Sequence, residues 1–331
     1  MIENWKKIIQ KLLATDEVKQ EFTSELFKMY GESDAKYPLQ LAYKLADAKD
    51  KPDLVVVILE NSDPQSYMIA PEPLYGNLRA IHIAAAFGYV KAARNLISNS
   101  WACSAVDFQD EYGLTPIFLA AEYGHFEMVQ LLLSFSGNPN IPASKHGLTP
   151  LAKAAQKGHI EVVRMLMSAT DAPNAPDNDG RTPIFIAACN CQLEIVKFLV
   201  DYTDDPNAPN NIGKTPIHVA AEHGSLFSRV LNDYLEMVKL LANYTDSPIA
   251  PDNDGRSPIH FAADTCAETP HGLEMVKFLA NYTVSPNAPD NFGQTPIMLT
   301  RNPKIAQFLD EFVNNTNMVR EFGHLEIEDL F

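Results

Sequence analysis

Apolar residues along this chain fall into paired short blocks that recur over most of its length. In a well-formed copy, Ile184 to Ala188 form one block, and a second block runs from Leu193 to Leu199 with apolar residues three and four positions apart. This spacing predicts two consecutive amphipathic helices in each copy. Neither helix can bury its apolar stripe alone, so the pattern requires that neighbouring pairs stack on one another.

A Thr-Pro dipeptide marks the start of most copies; Ser257-Pro258 replaces it in one copy, and Arg79-Ala80 replaces it in a weaker copy at residues 81–89. Thr149, Thr182 and Thr215 are 33 residues apart, and Thr115 precedes Thr149 by 34. Threonine is a good N-cap and proline is tolerated at the first helical position, so each dipeptide predicts a helix start. A glycine two residues earlier, such as Gly180, predicts a tight turn. The Pro-Asn-Ala-Pro segments between copies are extended and bridge one pair of helices to the next.

Two later copies are longer than the others. Ser257 follows Thr215 by 42 residues, and Thr295 follows Ser257 by 38. The first insertion, near 225–234, is expected to lengthen a second helix by about two turns. The second, near 264–271, predicts a loop beside it. Because adjacent repeats touch, the two insertions are expected side by side, where the apolar residues of the first either form a second interaction or self-association patch or are covered by the loop. The residues of this patch are Leu226, Phe227, Val230 and Leu231.

The repeated segments resemble the ankyrin repeat, whose pattern is G-x-T-P-L-H-x-A-A-x-x-G-H. The matching segments read GLTPIFLAAEYGH (113–125), GLTPLAKAAQKGH (147–159) and GKTPIHVAAEHG (213–224). The resemblance covers roughly residues 37–315 and implies about eight repeats, of which the first and last are degenerate. It implies an all-α repeat solenoid, a curved stack of helix pairs with β-hairpin or loop fingers. It also implies a non-catalytic scaffold that binds a protein partner on the concave surface of fingers and inner helices.

Both ends of the chain lie outside the repeat. Residues 1–36 predict two amphipathic helices, interpreted as a cap on the first repeat, with a separate partner-docking hairpin as the alternative. In that alternative the protein is an adaptor that recruits a second partner through these helices. Residues 316–331 alternate acidic and apolar positions and are interpreted as a mobile tail, with a short linear binding motif as the alternative.

Composition narrows the class of partner. The chain has 26 Lys and Arg against 42 Asp and Glu, a formal net charge of −16, which repels nucleic-acid phosphates and favours a basic or amphipathic protein. The longest strongly apolar run, residues 54–59, is too short to span a bilayer. With no recognisable signal peptide, these features predict a cytoplasmic protein, with the nucleus left open.

The chain's cysteines and histidines do not suggest a metal, cofactor or catalytic site. The four cysteines do not form a disulfide framework, and Cys189 and Cys191 are interpreted as reduced thiols in a helical turn. His82, His218 and His260 occupy one repeat position, where the resemblance implies that the ring bonds adjacent backbone. No cysteine or serine recurs beside them, so we expect no enzyme activity. An enzyme with an unrecognised site is the remote alternative.

The resemblance places partner-binding positions at the finger tips, directly after the glycine of each finger, such as Gly180, and directly before the glycine of the turn between the two helices, such as Gly158. The early candidates are mostly aromatic and apolar, and the later ones alternate acid and base. The candidates are Tyr112, Leu114, Tyr123, His146, Leu148, Lys157, Asp179, Arg181, Ile212, Lys214, His223, Asp254, Arg256 and Phe292.

Three of these candidates are equivalent cations of successive repeats. Arg181, Lys214 and Arg256 are expected at intervals of about 10 Å, the spacing of packed helices. They either form a ladder that holds an acidic segment or each pair with a neighbouring acidic finger. Separately, Asn174, Asn207 and Asn287 resemble the asparagine that is hydroxylated in some ankyrin proteins.

Overall fold

A computed structural model describes residues 67–69, 77–98, 106–143, 145–224, 231–265 and 270–321, together with Val55. The expected N-terminal helices, the expected repeat near residues 37–47 and the tail beyond residue 321 lie outside the described residues. Contacts divide the chain into two compact units, residues 1–145 and 146–331, and each is described by itself.

The first unit contains two helix pairs preceded by two short strands. Strand β1 pairs antiparallel with β2, and Tyr67 lies opposite Arg79. Helix α1 packs against α3, and α2 packs against α4, so equivalent helices of successive repeats lie side by side. The elements are β1 (Tyr67–Ile69), β2 (Asn77–Arg79), α1 (Ala80–Phe87), α2 (Val90–Ser98), α3 (Pro116–Tyr123) and α4 (Phe126–Ser134).

The second unit continues the same pattern over five repeats. Its first helices, α5, α7, α9, α11 and α13, pack in one row, and its second helices, α6, α8, α10, α12 and α14, pack in another. A short 3-10 helix, Val200–Tyr202, follows α8. The helices are α5 (Pro150–Lys157), α6 (Ile160–Ala169), α7 (Pro183–Cys189), α8 (Leu193–Leu199), α9 (Pro216–His223), α10 (Leu231–Ala242), α11 (Pro258–Thr265), α12 (Pro270–Ala280), α13 (Pro296–Leu299) and α14 (Pro303–Glu321).

In the pairs that carry the Thr-Pro dipeptide, a side-chain cap starts the first helix as the sequence predicts, whereas α1 begins after Arg79 without such a cap. The Thr182 hydroxyl oxygen accepts the Phe185 amide hydrogen at 3.3 Å, and Thr149 accepts that of Ala152 at 3.2 Å. Each bond satisfies one backbone donor that the first turn of a helix leaves unpaired. The alanine pair of α7, Ala187 and Ala188, is fully buried, which lets equivalent helices approach closely. The helix-pair solenoid expected from the sequence is therefore confirmed.

Most of the described fingers are closed by one acidic or amide side chain. In the finger before α7, Oδ1 of Asp177 accepts the amide hydrogens of Asp179 at 3.0 Å and Arg181 at 2.9 Å. Gly180 has φ +78°, the left-handed conformation that a side chain disfavours. Asp252 and the other equivalents make the same two bonds. These equivalents are Asp110 in the first unit and Asn210, Asp252 and Asp290 in the second.

The long repeats and the end of the array depart from the expected boundaries. Helix α10 begins at Leu231 and is 12 residues long against 7 for α8, and residues 225–230 of the expected insertion lie outside the described residues. The loop predicted near 264–271 is shortened from both sides, because α11 reaches Thr265 and α12 begins at Pro270. Helix α14 continues through residues 316–321, which the sequence assigned to the tail.

Candidate protein-binding surface

The fingers of the second unit present unlike side chains on one repeated backbone turn. Ile212 is 56% exposed and Phe292 is 71% exposed, and both occupy the tip position held by Asp179 and Asp254 in the other fingers. The carboxylate of Asp254 has no ion-pair or hydrogen-bond partner among the described residues. The tips therefore read acidic, apolar, acidic, apolar along residues 179–292.

The three cations expected to form a ladder each have a partner in the structure. Arg181 contacts Asp177 at 2.7 Å and Asp179 at 3.0 Å, and Lys214 contacts Glu222 at 2.8 Å. Pairing within one finger, or between a finger and the helix that follows it, neutralises the cations locally.

Arg256 instead reaches forward into the next repeat. Its Nε contacts the Asp290 carboxylate at 3.1 Å, and its Nη2 donates to Oε1 of Gln294 at 2.8 Å. Lys214 also reaches the next repeat, through a cation–π contact in which its Nζ lies 4.2 Å from the ring centroid of Phe261. These side chains therefore link successive repeats, and the tip side chains are more exposed than the cations, since Asp179 is 68% exposed although it contacts Arg181.

The other residues predicted to bind a partner differ in their exposure to solvent. Leu114 in the first unit and Leu148 in the second are buried, so they offer little side-chain surface to a partner. His146 and Lys157 are exposed, and His223 is half-buried with its Nδ1 within 3.1 Å of the Cys189 carbonyl oxygen.

Two aromatic candidates lie in the first unit. Tyr112 is half-buried, whereas Tyr123 is exposed and stacks on His125 with ring centroids 6.4 Å apart. Of the second predicted patch, Leu226, Phe227 and Val230 lie outside the described residues, and Leu231 is the first residue of α10.

A row of asparagines links the fingers of the second unit, and the sequence reasoning did not identify it. The backbone N–H of Asn211 donates to the Asp179 carbonyl at 2.9 Å, and its side-chain Nδ2 donates to the Asn178 carbonyl at 3.0 Å. Asn253 and Asn291 repeat both bonds to the finger before them. The recurrence of asparagine directly after the turn-closing residue was the available signal, as in DND, NNI and DNF.

The histidines at the repeated position bond the backbone on both sides. Nδ1 of His218 accepts the Thr215 amide hydrogen at 3.1 Å, and its Nε2–H donates to the Arg256 carbonyl at 3.0 Å. His260 bonds in the same way to Ser257 and Gln294. Burial lowers the pKa of His218 from 6.5 to about 4, and it also lowers the pKa of His260. His218 therefore joins two repeats as a neutral ring.

His82 has the same role in the first unit. Its Nδ1 accepts the Arg79 amide hydrogen at 3.2 Å, and its Nε2–H lies 2.9 Å from the Phe108 carbonyl oxygen. Burial lowers its pKa to about 4. The backbone role that the sequence assigned to these rings is thus present in both units.

The two neighbouring cysteines and the asparagines predicted to be hydroxylated are the remaining candidates for chemistry. Burial raises the pKa of the Cys189 thiol to about 11 and also raises that of Cys191, so neither is an activated thiolate. Oδ1 of Asn207 accepts the Ile217 amide hydrogen at 3.2 Å, and Asn287 bonds Ile297 in the same way at 2.9 Å. Asn174 is exposed, and hydroxylation of these asparagines stays a prediction.

The described residues contain neither a metal-binding cluster nor a membrane-spanning helix. No group of three or more His, Cys, Asp or Glu in the described ranges could hold a metal ion. None of the described helices is both long and apolar enough to cross a bilayer.

Paired helices in two packed rows, joined by glycine-containing fingers, define a helical repeat solenoid. Residues 81–177 and 169–231 match the family described as "Ankyrin repeats (3 copies)", and residues 254–291 match "Ankyrin repeat". These matches cover more than half of the chain. The chain therefore belongs to the ankyrin-repeat family, whose repeats are generally protein–protein interaction modules.

Two similar proteins place this match in context. The chain is 33% identical over 88 residues to "Calmodulin-binding transcription activator 5" of Arabidopsis thaliana, an alignment covering 27% of this chain and only 9% of that protein. It also resembles the crystal structure of the ankyrin repeat domain of Bcl-3, described as a unique member of the IkappaB protein family. That match has a TM-score of 0.56 and 23% identity, and covers 70% of this chain and 97% of the other. At this identity it supports the fold alone.

Proposed function

We propose that this protein is a non-catalytic scaffold that binds an extended segment of a partner protein on the finger tips of residues 146–331. The observation that carries the proposal is a constant turn with varied tips. Asp177, Asn210, Asp252 and Asp290 all close their fingers with the same two bonds. A rigid frame that varies only the exposed side chain binds with little loss of conformational entropy.

The tips suggest the chemistry of the partner. Asp179 and Asp254 alternate with the exposed Ile212 and Phe292. Packed repeats are about 10 Å apart, and an extended polyproline II segment advances about 3.1 Å per residue with three residues per turn, so one tip faces every third residue of such a ligand. The complementary ligand carries a basic residue and an apolar residue alternately at every third position. The net charge of −16 also favours a basic ligand.

The absence of catalysis in this proposal is supported by how the reactive groups are used. Both ring nitrogens of His218 and His260 bond backbone groups. Neither ring can therefore exchange a proton with a substrate without breaking the hydrogen bonds that join two repeats. The raised pKa of Cys189 argues against a nucleophilic thiolate.

Fluorescence anisotropy with labelled peptides tests this function. The probe is an extended peptide with Arg, Leu, Arg and Phe at every third position, and the control has the same composition with these residues at every second position. We expect the first peptide to bind at least about tenfold more tightly, because only its spacing matches the tips.

A matched pair of variants locates the binding surface. Ile212→Asp places a charge at an apolar tip, and Val284→Asp makes the same change at a residue that is 68% exposed but lies in a loop between repeats. Ile212→Asp should weaken binding by about tenfold, whereas Val284→Asp should not. Equal binding of the two peptides, or equal effects of the two variants, would refute the finger-tip proposal.

A further inference from the structure

The last finger of the second unit, residues 290–294, has one face that no described residue covers. Each earlier finger of this unit is contacted by the asparagine of the finger that follows it. Asn253 donates its backbone N–H to the Ile212 carbonyl at 3.1 Å and its Nδ2 to the Asn211 carbonyl at 3.3 Å. Asn291 bonds the Asp254 and Asn253 carbonyls at 3.0 and 3.1 Å.

The fit of these joints is tight at the finger glycines. A Cβ added to Gly213 would lie 2.5 Å from Oδ1 of Asn253, and one added to Gly255 would lie 2.5 Å from Oδ1 of Asn291. At Gly293, which has the same left-handed conformation, nothing described lies within 4 Å of such an atom. The finger surface that receives an asparagine elsewhere is therefore open here.

The acceptors and the apolar surface of this joint are also open. The carbonyls of Asn291 and Phe292 correspond to those that accept the two asparagine bonds, and no described residue donates to them. Met298 is 72% exposed and occupies the repeat position of His218, whose Nε2–H donates to the Arg256 carbonyl of the following finger. Its equivalents in the preceding repeats are buried beneath the next repeat. These are Phe185, His218 and His260.

We propose that the open face formed by Asn291, Phe292, Gly293 and Met298 docks an asparagine-led turn from a different protein. The repeated joints define the required chemistry. The turn presents one backbone N–H and one carboxamide to the two carbonyls, passes close to Gly293, and places an apolar side chain on Met298. This site adjoins the finger-tip surface at Phe292, but it uses the backbone carbonyl of that residue and the side of the finger, whereas the tip surface uses the Phe292 side chain.

The occupant of this face is a partner protein. The described asparagines that follow a turn-closing residue already bond the preceding finger, so the described array offers no further turn of this kind. A face already filled by another segment of this chain would leave the Met298 methyl unmoved by the added peptide. The asparagines so engaged are Asn178, Asn211, Asn253 and Asn291.

NMR of the full chain with ¹³C-methyl-labelled methionine tests the site directly. The probe is a cyclic peptide of the turn sequence from Pro251 to Arg256, PDNDGR, which makes this contact within the array. We expect saturable shifts of the Met298 methyl signal, assigned with Met298→Leu, at a Kd on the order of 1 mM for one isolated turn. The same peptide with alanine in place of its asparagine should bind at least about tenfold more weakly.

A second variant separates docking from folding. Gly293→Asn adds a Cβ that obstructs the joint, while asparagine tolerates the left-handed conformation. The buried methyls of Met237 and Met275 should keep their positions, and peptide binding should be lost. Ile212→Asp should leave this binding unchanged, which separates the site from the finger tips.

Three results would overturn the proposal: an unmoved Met298 methyl, equal binding of the alanine peptide, or full binding by Gly293→Asn. Mass photometry adds a fourth, because a dimer that Gly293→Asn dissociates would make a second copy the occupant.

Discussion

Replacing His218 with glutamine should change how the stability of residues 146–331 depends on pH. The ring accepts a hydrogen bond from the Thr215 amide and donates one to the Arg256 carbonyl, so it must be neutral in the folded protein. Burial is the main cause of its pKa of about 4, and Lys214 adds to the effect, whereas Asp252 and Glu222 oppose it. Protonation therefore favours the unfolded chain.

The size of the effect follows from the two pKa values. The unfolded ring has a pKa of 6.5 and the folded ring about 4. The neutral ring's contribution is fully present above pH 6.5 and is lost as the pH falls toward 4, because only the unfolded state binds the proton in this window. Between pH 7.5 and pH 5, His218 should reduce the free energy of unfolding by about 2 kcal/mol.

Urea denaturation followed by far-UV circular dichroism, repeated from pH 7.5 to pH 5, measures this loss. At pH 7.5, His218→Gln should be less stable than wild type by about 2 kcal/mol, because two buried backbone groups lose their partner. At pH 5 the two proteins should be nearly equally stable. His146→Gln, which removes an exposed histidine, controls for the loss of one titratable ring.

Hydrogen exchange of the α9 amides locates the change within the second unit, which matters because repeat arrays can open in parts. Carboxylates also titrate near pH 5, but their contribution is common to both proteins and cancels in the comparison. A constant stability difference between wild type and His218→Gln across this pH range would show that the ring does not carry the pH dependence.

Three further changes test the finger and cap contacts by urea denaturation. Gly213→Ala should lower the free energy of unfolding by about 3 kcal/mol, because it combines left-handed strain with a clash against Asn253. Gly293→Ala should lower it by only about 1 to 2 kcal/mol from the strain, and equal losses for the two variants would contradict the tight finger joint. Asp252→Ala should lower the free energy of unfolding by about 2 kcal/mol, because two turn amides lose their acceptor. Asp252→Asn should lower it much less, since Asn210 closes its own finger in the same way, and similar losses for both variants would contradict this role. Thr182→Ala should cost about 1 kcal/mol through loss of the helix cap, and an unchanged unfolding midpoint would refute it.

Several structural features could be predicted because they depend on chemistry within a few residues. Thr182 caps α7, Gly180 adopts the left-handed conformation, and the apolar block from Leu193 to Leu199 is the helix α8. Helix capping, turn conformation and helical periodicity are all set by neighbours in the chain. The repetition of this local information along the sequence was sufficient to identify a stack of helix pairs.

Partners across repeats were not predictable in this way. Arg256 pairs with Asp290, 34 residues away, and Leu148 is buried although its repeat position was expected to face outward. The asparagine joints, as between Asn211 and Asp179, also form only when two fingers lie side by side. Their geometry depends on the offset between stacked repeats, which sequence spacing does not specify.

The sequence by itself thus determined the repeat, the start of each first helix and the ankyrin family, since each depends on residues close together in the chain. Only the tertiary structure decided which charges are neutralised, which finger tips remain exposed, and which finger has an open face. These properties depend on what packs against a side chain. In a stacked array the packing partner belongs to the next repeat, so the same local motif is buried in one repeat and accessible in the last.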